Sequence, residues 1–302
     1  MKRLALIVLP LLVLCAAAWY SYPPLRHWSF AAAGRGNGCP PARAWAIEAE
    51  KKELTRVKDD ILSKTRLLQK EFRGLELYQT PYGRFWAPEG SRYILPFNLA
   101  EQATHIYGPP SQFVHQGDVV LDCGANVGTF ARFALDAGAR LVVAIEPAPD
   151  NLECLRRNCE KEIAEKRLVV YPKGVWDQED TLELLVDPDN QAADSFVIHR
   201  QGAKAVARVP LTTIDHMVSE LALDRVDFIK MDIEGAEVKA LYGARSTLQR
   251  FHPRMSLSVY HQADHPVEVP RAARAAWPAY AVECGPCNAV VGAVRPDILY
   301  LR

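Results

Sequence analysis

The chain has 302 residues, of which 49% are hydrophobic, and its 36 lysines and arginines are balanced by 36 aspartates and glutamates. This length allows one sizeable domain together with a tail. Zero net charge, without a basic stripe interleaved with aromatic residues, argues against nucleic acid as a partner. The 7 cysteines are scattered along the chain and lack the spacing of a disulfide framework.

The first residues have the pattern of a membrane-targeting segment. Lys2 and Arg3 precede an apolar run from Leu4 to Tyr20, an order that directs the rest of the chain to the exported side. The run is slightly short for a spanning helix, and the alanines at 16–18 resemble a small-residue cleavage site. We predict a single-pass membrane anchor over residues 1–21, with export after cleavage of a signal peptide as the alternative.

Two segments separate this run from the main domain. Residues 22–41 are rich in proline, glycine and alanine and are predicted to form a linker. In the charged segment 42–74, apolar residues recur every seven positions, at Ile47, Leu54, Ile61 and Leu68. This spacing predicts a helical stalk with a narrow apolar seam. The seam either pairs with a second copy of the chain through residues 44–72 or lies on the domain that follows.

The pattern changes to alternating strands and helices over residues 75–302. Short apolar strands separated by helical segments predict a doubly wound α/β domain with a mostly parallel sheet. A helix is expected at 99–107, and strand-like runs are expected at 181–186, 195–200 and 207–215. Because ligands of such sheets bind outside the carboxyl ends of the strands, residues at these ends are the candidates for chemistry.

The sequence VVLDCGANVGTF, residues 119–130, has the features of a cofactor-binding loop. Its strand ends at Asp122, and Gly124 and Gly128 flank a tight turn before the next helix. Glycines let the backbone approach a ligand closely and leave free N–H groups at the helix start. The following strand ends about 20 residues later at Glu146, where an acid binds the two hydroxyls of a ribose. The combination predicts a nucleoside-containing cofactor.

The same loop distinguishes between cofactors. A dinucleotide fingerprint has the spacing G-x-G-x-x-G, which is absent here. The acid that starts the loop, Asp122, attracts a cationic amino group and repels a pyrophosphate. The sequence therefore favours S-adenosylmethionine and disfavours a nicotinamide oxidoreductase.

Three acids follow the apolar run FIKM in the sequence FIKMDIEGAE, at Asp232, Glu234 and Glu237. Glu237 is predicted to lie in the first turn of a helix, where the N-terminal dipole favours a carboxylate. A metal ion needs several oxygen ligands that converge in one shell. Because Asp232 and Glu234 alternate in an extended run, both face one ion only if the backbone bends. We therefore predict no metal site and assign Asp232 and Glu234 to catalysis.

A histidine, His261, follows the strand RMSLSVY in the sequence YHQADHP. With an ordinary pKa of about 6.5, a histidine at a strand end accepts a proton near neutral pH. We predict that His261 acts as the acid–base group together with Asp232 or Glu234. A surface histidine near Asp264 and His265 is the alternative.

The sequence CGPC at residues 284–287 is that of a thioredoxin-type redox site. Such a site requires a long helix after the motif, and only 15 residues follow it. We predict instead a tight turn between two strands. If the domain is exported, a disulfide between the two cysteines would close this turn.

The segments DCGANVGTF, IEPAPDN and FIKMDIEGAE together resemble the FkbM family of S-adenosylmethionine-dependent methyltransferases. The resemblance runs from about Leu77 to the C-terminus and leaves out the predicted anchor and stalk. It implies a Rossmann-like class I methyltransferase fold with a mostly parallel seven-stranded sheet. It also implies S-adenosylmethionine as the cofactor and, most often in this family, methyl transfer to oxygen.

The resemblance also implies roles for individual residues. The methionyl and ribose parts of the cofactor would be contacted by Asp122, Gly124, Ala125, Asn126 and Gly128. Glu146 would bind the ribose hydroxyls, and Pro147 and Asn151 would lie near the adenine. Residues 173–176 stand where this fold usually supplies further adenine contacts. The catalytic residues would be Asp232, Glu234 and His261.

The expected function is methyl transfer from S-adenosylmethionine to a hydroxyl of a small-molecule, saccharide or glycolipid acceptor. The N-terminal anchor implies work at a membrane. Two alternatives remain from the sequence: an N-methyltransferase, and an inactive scaffold that keeps the fold.

Overall fold

The computed structural model describes residues 2–72, 74–186 and 204–302, with the backbone alone described at 2–9, 11, 12, 184–186 and 204–207. The predicted strand at 195–200 therefore lies outside the described residues. The N-terminal elements are α1 (Lys2–Ser21), α2 (Pro23–Ala32), α3 (Pro41–Lys64), β1 (Arg66–Lys70), β2 (Leu75–Thr80) and β3 (Gly83–Pro88). Prolines begin α2 and α3, positions where the missing N–H costs nothing because the first turn has no partner for it.

The remaining elements follow the alternation expected from the sequence. They are, in chain order, α4 (Ile94–Ala103), β4 (Val119–Cys123), α5 (Thr129–Asp136), β5 (Leu141–Ile145), α6 (Pro149–Asn158), α7 (Glu160–Ala164), β6 (Leu168–Tyr171), β7 (Gly174–Val175), β8 (Asp180–Val186), β9 (Lys204–Thr212), α8 (Ile214–Glu220), β10 (Phe228–Met231), α9 (Glu237–Tyr242), α10 (Arg245–Phe251), β11 (Arg254–Ser258), α11 (His265–Ala276), β12 (Val282–Cys284), β13 (Cys287–Val290), β14 (Ala293–Pro296) and β15 (Ile298–Leu301).

The central sheet has seven strands in the order β12-β15-β11-β10-β4-β5-β6. The strands β11, β10, β4, β5 and β6 run parallel, and β15 is antiparallel to both of its neighbours. Every residue of β4 and β10 is buried, as expected for strands covered by helices on both faces. The predicted α/β class and mostly parallel seven-stranded sheet are therefore confirmed.

The charged segment before the sheet differs from its prediction. The helix α3 ends at Lys64, and the chain then forms β1, which pairs with β2. Of the apolar seam, Ile61 packs in a core cluster with Leu75 and Leu99, and Ile47 packs with Val294. The seam therefore lies on the domain that follows, which is one of the two predicted alternatives. The predicted linker is also partly helical, because it contains α2.

No helix among the residues whose side chains are described is long and apolar enough to cross a membrane. Most side chains of residues 1–12 lie outside that description. The membrane anchor over residues 1–21 stays a prediction.

The cysteine motif forms a turn but not the disulfide expected for it. Residues 285–286 connect β12 to β13, as predicted. The disulfide joins Cys287 to Cys39, 248 positions away, so the expected pairing within the motif is wrong. Cys284 keeps a free thiol whose Sγ lies 3.4 Å from that of Cys287. The bond ties the segment before α3 to the C-terminal part of the domain.

Candidate active site

A cavity of about 400 Å³ opens at the carboxyl ends of β4, β5 and β10. This is the edge where parallel α/β sheets bind their ligands, and the volume suits a small-molecule site. One part of its wall comes from the loops after β4 and β5, and another part comes from α4 and the loop after β10. The site therefore has two sides, called here the glycine-loop side and the α4 side.

On the glycine-loop side, the backbone leaves no room for a side chain at two glycines. Gly124 has a φ of +79°, and a Cβ placed there would lie 1.9 Å from the carbonyl oxygen of Asp232. Gly128 has a φ of +88°, and its Cβ would lie 2.7 Å from Leu155. Glycine at 124 thus lets the loop pass against the end of β10, and glycine at 128 seats the start of α5 on α6.

Glu146 is held in place by the loops around it. Its carboxylate accepts hydrogen bonds from the backbone N–H of Asn126 at 2.8 Å and of Ala148 at 2.9 Å. The side-chain amide of Asn151 lies at 3.4 Å. A carboxylate has about four acceptor positions, so it retains capacity for a ribose hydroxyl. The glycine cradle and this oriented acid fit the adenosyl part of S-adenosylmethionine.

Five of the predicted cofactor-binding residues line the cavity together: Gly124, Ala125, Asn126, Glu146 and Asn151. Pro147, Lys173, Gly174 and Val175 line it as well. Asp122 and Gly128 are not part of its wall in the described portion of the chain. Gly128 acts through packing. Asp122 lies outside the wall because of an ion pair with another residue of the protein.

Asp122 is fully buried, and its partner belongs to the protein itself. The Nζ of Lys230 lies 3.3 Å from its carboxylate and donates a hydrogen bond of 2.7 Å to the carbonyl oxygen of Gly124. Burial lowers the pKa of Lys230, but the charges of Asp122 and Asp232 outweigh this and raise it above its usual value. The lysine therefore stays charged. Asp122 pairs with Lys230 away from the cavity wall, and its predicted contact with a cofactor amino group stays a prediction.

On the α4 side, Asp232 is the centre of a hydrogen-bond network. It accepts a hydrogen bond of 2.7 Å from the hydroxyl of Tyr107 and one of 3.3 Å from the hydroxyl of Tyr260. Burial opposes its ionisation, yet the charges of His261 and Lys230 hold the pKa of Asp232 below its usual value. Asp232 is thus an oriented carboxylate at the cavity wall.

The chain bends sharply after Asp232. Glu234 has a φ of +54° and Gly235 a φ of +99°, both in the left-handed region. The extended run therefore ends at Met231, and Glu234 lines the cavity beside Asp232. Glu237 begins α9, as predicted, and accepts a hydrogen bond of 3.0 Å from the backbone N–H of Ile233. The bend brings all three acids of this segment to one place.

His261 lies at the centre of these acids, with 2% of its side chain exposed. Its Nδ1 is 2.9 Å from Glu237, and its Nε2 is 3.4 Å from Asp232 and 3.5 Å from Glu234. Burial lowers the pKa of His261, but the surrounding carboxylates dominate and raise it to about 10. His261 does not line the cavity in the described part of the chain. A charged, enclosed imidazole is poorly suited to accept a proton from an acceptor.

Several cavity residues had no predicted role: Glu101, Tyr107, Lys230 and Tyr260. Burial, followed by the charge of Asp232, raises the pKa of Glu101 to about 8. Glu101 lies on α4, which starts at Ile94 and not at 99. The sequence carried one general signal for them, since all four lie in the stretch from about Leu77 that the family resemblance covers. Nothing local in the sequence marks their side chains as neighbours of Asp232.

The fold and the site define an S-adenosylmethionine-dependent methyltransferase domain. The family model of the methyltransferase FkbM domain matches residues 122–281, which is more than half of the chain. The chain therefore belongs to the FkbM methyltransferase family. The family, enzyme class and cofactor predicted from the motifs are confirmed for this domain.

Known proteins similar to this chain include one curated relative. The hexuronic acid methyltransferase AglP of Haloferax volcanii is 25% identical over 134 residues, which cover 44% of this chain and 53% of AglP. The chain thus spans about half the length of that relative.

Solved structures similar to this chain match it at low identity. The FkbM methyltransferase of Methylobacillus flagellatus is 18% identical, with a TM-score of 0.47 over 86% of this chain and 62% of that one. SMU.1697c of Streptococcus mutans, solved in complex with SAH, is 12% identical, with a TM-score of 0.38 over 66% of this chain and 95% of that one.

Proposed function

We propose that this protein transfers the methyl group of S-adenosylmethionine to a hydroxyl oxygen of an acidic saccharide. One observation carries the proposal. A single cavity has the cradle for an adenosyl group on its glycine-loop side and a cluster of carboxylates and tyrosines on its α4 side. Such an arrangement holds a donor and a hydroxyl acceptor in line, which is the main contribution of a methyltransferase to the rate.

The α4 side has the composition of a saccharide site. Tyr93 and Phe97 line the cavity with 67% and 40% of their surface exposed, and exposed aromatic rings at a cavity suit the apolar face of a sugar. Asn98 supplies an amide for hydroxyl groups, and Lys58 on α3 supplies a positive charge for a carboxylate. The curated relative AglP, described as a hexuronic acid methyltransferase, supports the same class of acceptor.

The proton of the acceptor hydroxyl needs a base that faces the cavity. We assign this role to Glu101, because it lines the cavity and its raised pKa suits proton transfer near neutral pH. When bound, S-adenosylmethionine supplies a methyl group on a positively charged sulfur. As the acceptor oxygen bonds to this carbon, the carbon–sulfur bond breaks, sulfur keeps its electron pair, and Glu101 takes the hydroxyl proton. Asp232 and Glu234 orient the acceptor.

The proposal is tested with radiolabelled S-adenosylmethionine and uronic-acid oligosaccharides. The carboxyl-reduced forms of the same oligosaccharides serve as matched acceptors. We expect label in the acidic acceptor as an alkali-stable ether, with Lys58→Gln raising KM for the acidic acceptor and leaving KM for the reduced one unchanged. Label that appears only on amines would indicate an N-methyltransferase. Absence of binding of the homocysteine product in calorimetry would indicate a scaffold, and both results reject the proposal.

The base assignment has its own measurement. We expect Glu101→Gln to reduce kcat by about 100-fold or more, in line with the usual contribution of a general base, and to remove the acid limb of the pH–rate profile. Affinity for the homocysteine product should stay the same, because Glu101 lies on the α4 side. A variant that keeps both kcat and the acid limb would exclude Glu101 as the base.

A further inference from the structure

Two histidines share the buried carboxylate of Glu237, the residue that begins α9. One of its oxygens lies 2.9 Å from Nδ1 of His261, and the other lies 3.3 Å from Nδ1 of His265. At most 4% of each of these three side chains is exposed. Among the described residues, His261 is the one of the two histidines that also contacts Asp232, with its Nε2 at 3.4 Å. The two histidines thus have the same anchor and different second neighbours.

The two histidines also differ in charge. Burial lowers the pKa of His261, but hydrogen bonds and charges from Glu234, Glu237 and Asp232 outweigh burial and raise this pKa to about 10. For His265, burial prevails over the charge of Glu237, so its pKa lies below the ordinary value of a histidine. At neutral pH, His261 is therefore a cation and His265 is neutral.

Glu237 fixes both the imidazolium ring and the bend of the chain after Asp232. The same carboxylate oxygen, Oε1, lies 2.9 Å from Nδ1 of His261 and accepts a hydrogen bond of 3.0 Å from the backbone N–H of Ile233. Both nitrogens of a charged imidazole are donors, so Nδ1 donates to Glu237 and the other N–H remains for the side of Asp232. The cation is therefore held at a fixed position behind the carboxylate of Asp232.

Asp232 has a carboxylate that can still bind an acceptor hydroxyl. The hydroxyls of Tyr107 and Tyr260 donate to different oxygens of Asp232, and a carboxylate has about four acceptor positions. Burial favours its protonated form, but the charges of His261 and Lys230 hold the pKa of Asp232 below its usual value. A carboxylate in such surroundings stays ionised only if a cation compensates it. Because Lys230 also pairs with Asp122, His261 is the cation that serves the acceptor part of the cavity.

We propose that His261 is a positioning residue, whose imidazolium, anchored on Glu237, holds the carboxylate of Asp232 ionised and oriented toward the hydroxyl to be methylated. This role differs from the predicted one, because His261 carries two protons before and after methyl transfer while Glu101 takes the hydroxyl proton. The part that concerns the acceptor rests on the proposed function. The charge of His261 and its effect on Asp232 do not.

The two histidines provide a matched comparison in kinetics with the acidic saccharide. We expect His261→Gln to lower kcat about 100-fold, because a displaced Asp232 misplaces the acceptor, and to leave affinity for the homocysteine product unchanged. His261→Lys keeps a positive charge and should be more active than His261→Gln. His265→Gln removes an equally enclosed histidine from the same carboxylate and should keep the kcat of the wild type. Equal losses in the two glutamine variants would indicate a merely structural cluster and would overturn the proposal.

A second measurement needs no turnover and uses the wild type, so it holds even if a variant fails to fold. In nuclear magnetic resonance spectra of the full chain labelled with ¹⁵N-histidine, the ring of His261 is assigned by its proximity to the ring of Tyr260, whose centroid lies 4.1 Å away. We expect both ring nitrogens of His261 to carry protons from about pH 7 to about pH 9, whereas the ring of His265 should be neutral over this range. A neutral His261 at pH 7 would overturn the proposal.

The effect on Asp232 is measured by its ¹³C-carboxyl resonance, assigned with Asp232→Asn. In His261→Gln this carboxyl should titrate at a higher pH than in the wild type, since the variant lacks the cation that favours the ionised form. The other ionisable groups around Asp232 are the same in both proteins: Lys230, Glu101, Glu234, Tyr107 and Tyr260. An unchanged titration would overturn the proposal. A shifted titration in a wild type that methylates no saccharide would reject the proposed function and leave this effect of His261 confirmed.

Discussion

The two sides of the cavity are built in different ways. On the glycine-loop side, Glu146 is bound mainly by backbone N–H groups of residues within 20 positions of it, at Asn126 and Ala148. On the α4 side, Asp232 is bound by side chains from distant segments, with Tyr107 lying 125 positions away. The glycine-loop side is therefore formed mostly by backbone, whereas the α4 side is a network of charged groups and hydroxyls.

This difference matches the two tasks of the site. A backbone cradle recognises a constant ligand, because it offers N–H groups and shape that few substitutions change. Side chains contributed by several elements change one at a time, so they suit an acceptor that differs between relatives. We therefore expect mutations on the glycine-loop side to affect cofactor affinity and mutations on the α4 side to affect turnover and acceptor choice.

The pair of Lys230 and Asp122 connects the two sides, and breaking it should have the largest effect. Lys230→Met leaves a fully buried Asp122 without its partner, which costs about 3 to 5 kcal/mol of unfolding free energy. Chemical denaturation measures this loss. The double variant Asp122→Leu with Lys230→Met should recover most of it, because no buried charge then remains. A double variant as unstable as the single one would contradict this account.

The second largest effect is expected for Gly124→Ala, on the glycine-loop side. The added Cβ would meet the carbonyl oxygen of Asp232, so the loop must shift, and displacements of about 1 Å commonly cost 100-fold in rate. Binding of the homocysteine product should be lost in calorimetry. Gly90→Ala is the matched control, because Gly90 has a similar φ of +87° and open space around it. It should cost about 1 kcal/mol of stability and leave binding unchanged.

The sequence predicted the two sides to different extents. The strand ends, the glycine turn and Glu146 were found because they are local patterns with fixed spacing. The α4 side was only partly found, because the contacts of Tyr107, Lys230 and Asp232 depend on how distant segments meet. Two roles stay predictions, and the structure adds neighbours that bear on both. Asp122, predicted to contact the cofactor, pairs with Lys230. His261, predicted to act as a base, lies within 3.5 Å of three carboxylates. Neither contact has a local pattern in the sequence.

The disulfide of the N-terminal segment can be removed without changing a residue on either side of the cavity. Removing the disulfide with Cys39→Ser should lower the unfolding free energy by about 2 to 4 kcal/mol, since the bond closes a long loop. Binding of the homocysteine product should not change, because the bond is not part of the cavity wall in the described residues. Cys15→Ser, at an exposed free cysteine, is the control for the substitution itself. A loss of binding in Cys39→Ser would show that the N-terminal helices hold the site in shape.

The smallest expected effect concerns Glu101 and appears only as a dependence of stability on pH. Its pKa is about 8 in the folded protein, well above the ordinary value of a glutamate, so the folded state holds a proton that the unfolded state releases. Stability from this group is therefore complete below the unfolded pKa and is lost as the pH rises through about 8. The Glu101→Gln variant carries no such proton. The unfolding free energy of Glu101→Gln, relative to that of the wild type, should therefore change with pH. The difference in favour of the variant should be near zero at low pH, grow by at most about 1.4 kcal/mol per pH unit, and level off above the folded pKa.

Denaturation series over this pH range measure that difference. The control is Glu160→Gln, an exposed glutamate on α7, which should follow the wild type throughout. A constant difference across the range would mean that water in the cavity solvates the Glu101 carboxylate as well as bulk solvent does. In that case Glu101 would lose the property that suits it to act as the base, and the contrast between the two sides of the cavity would rest on Asp232 and its tyrosines alone.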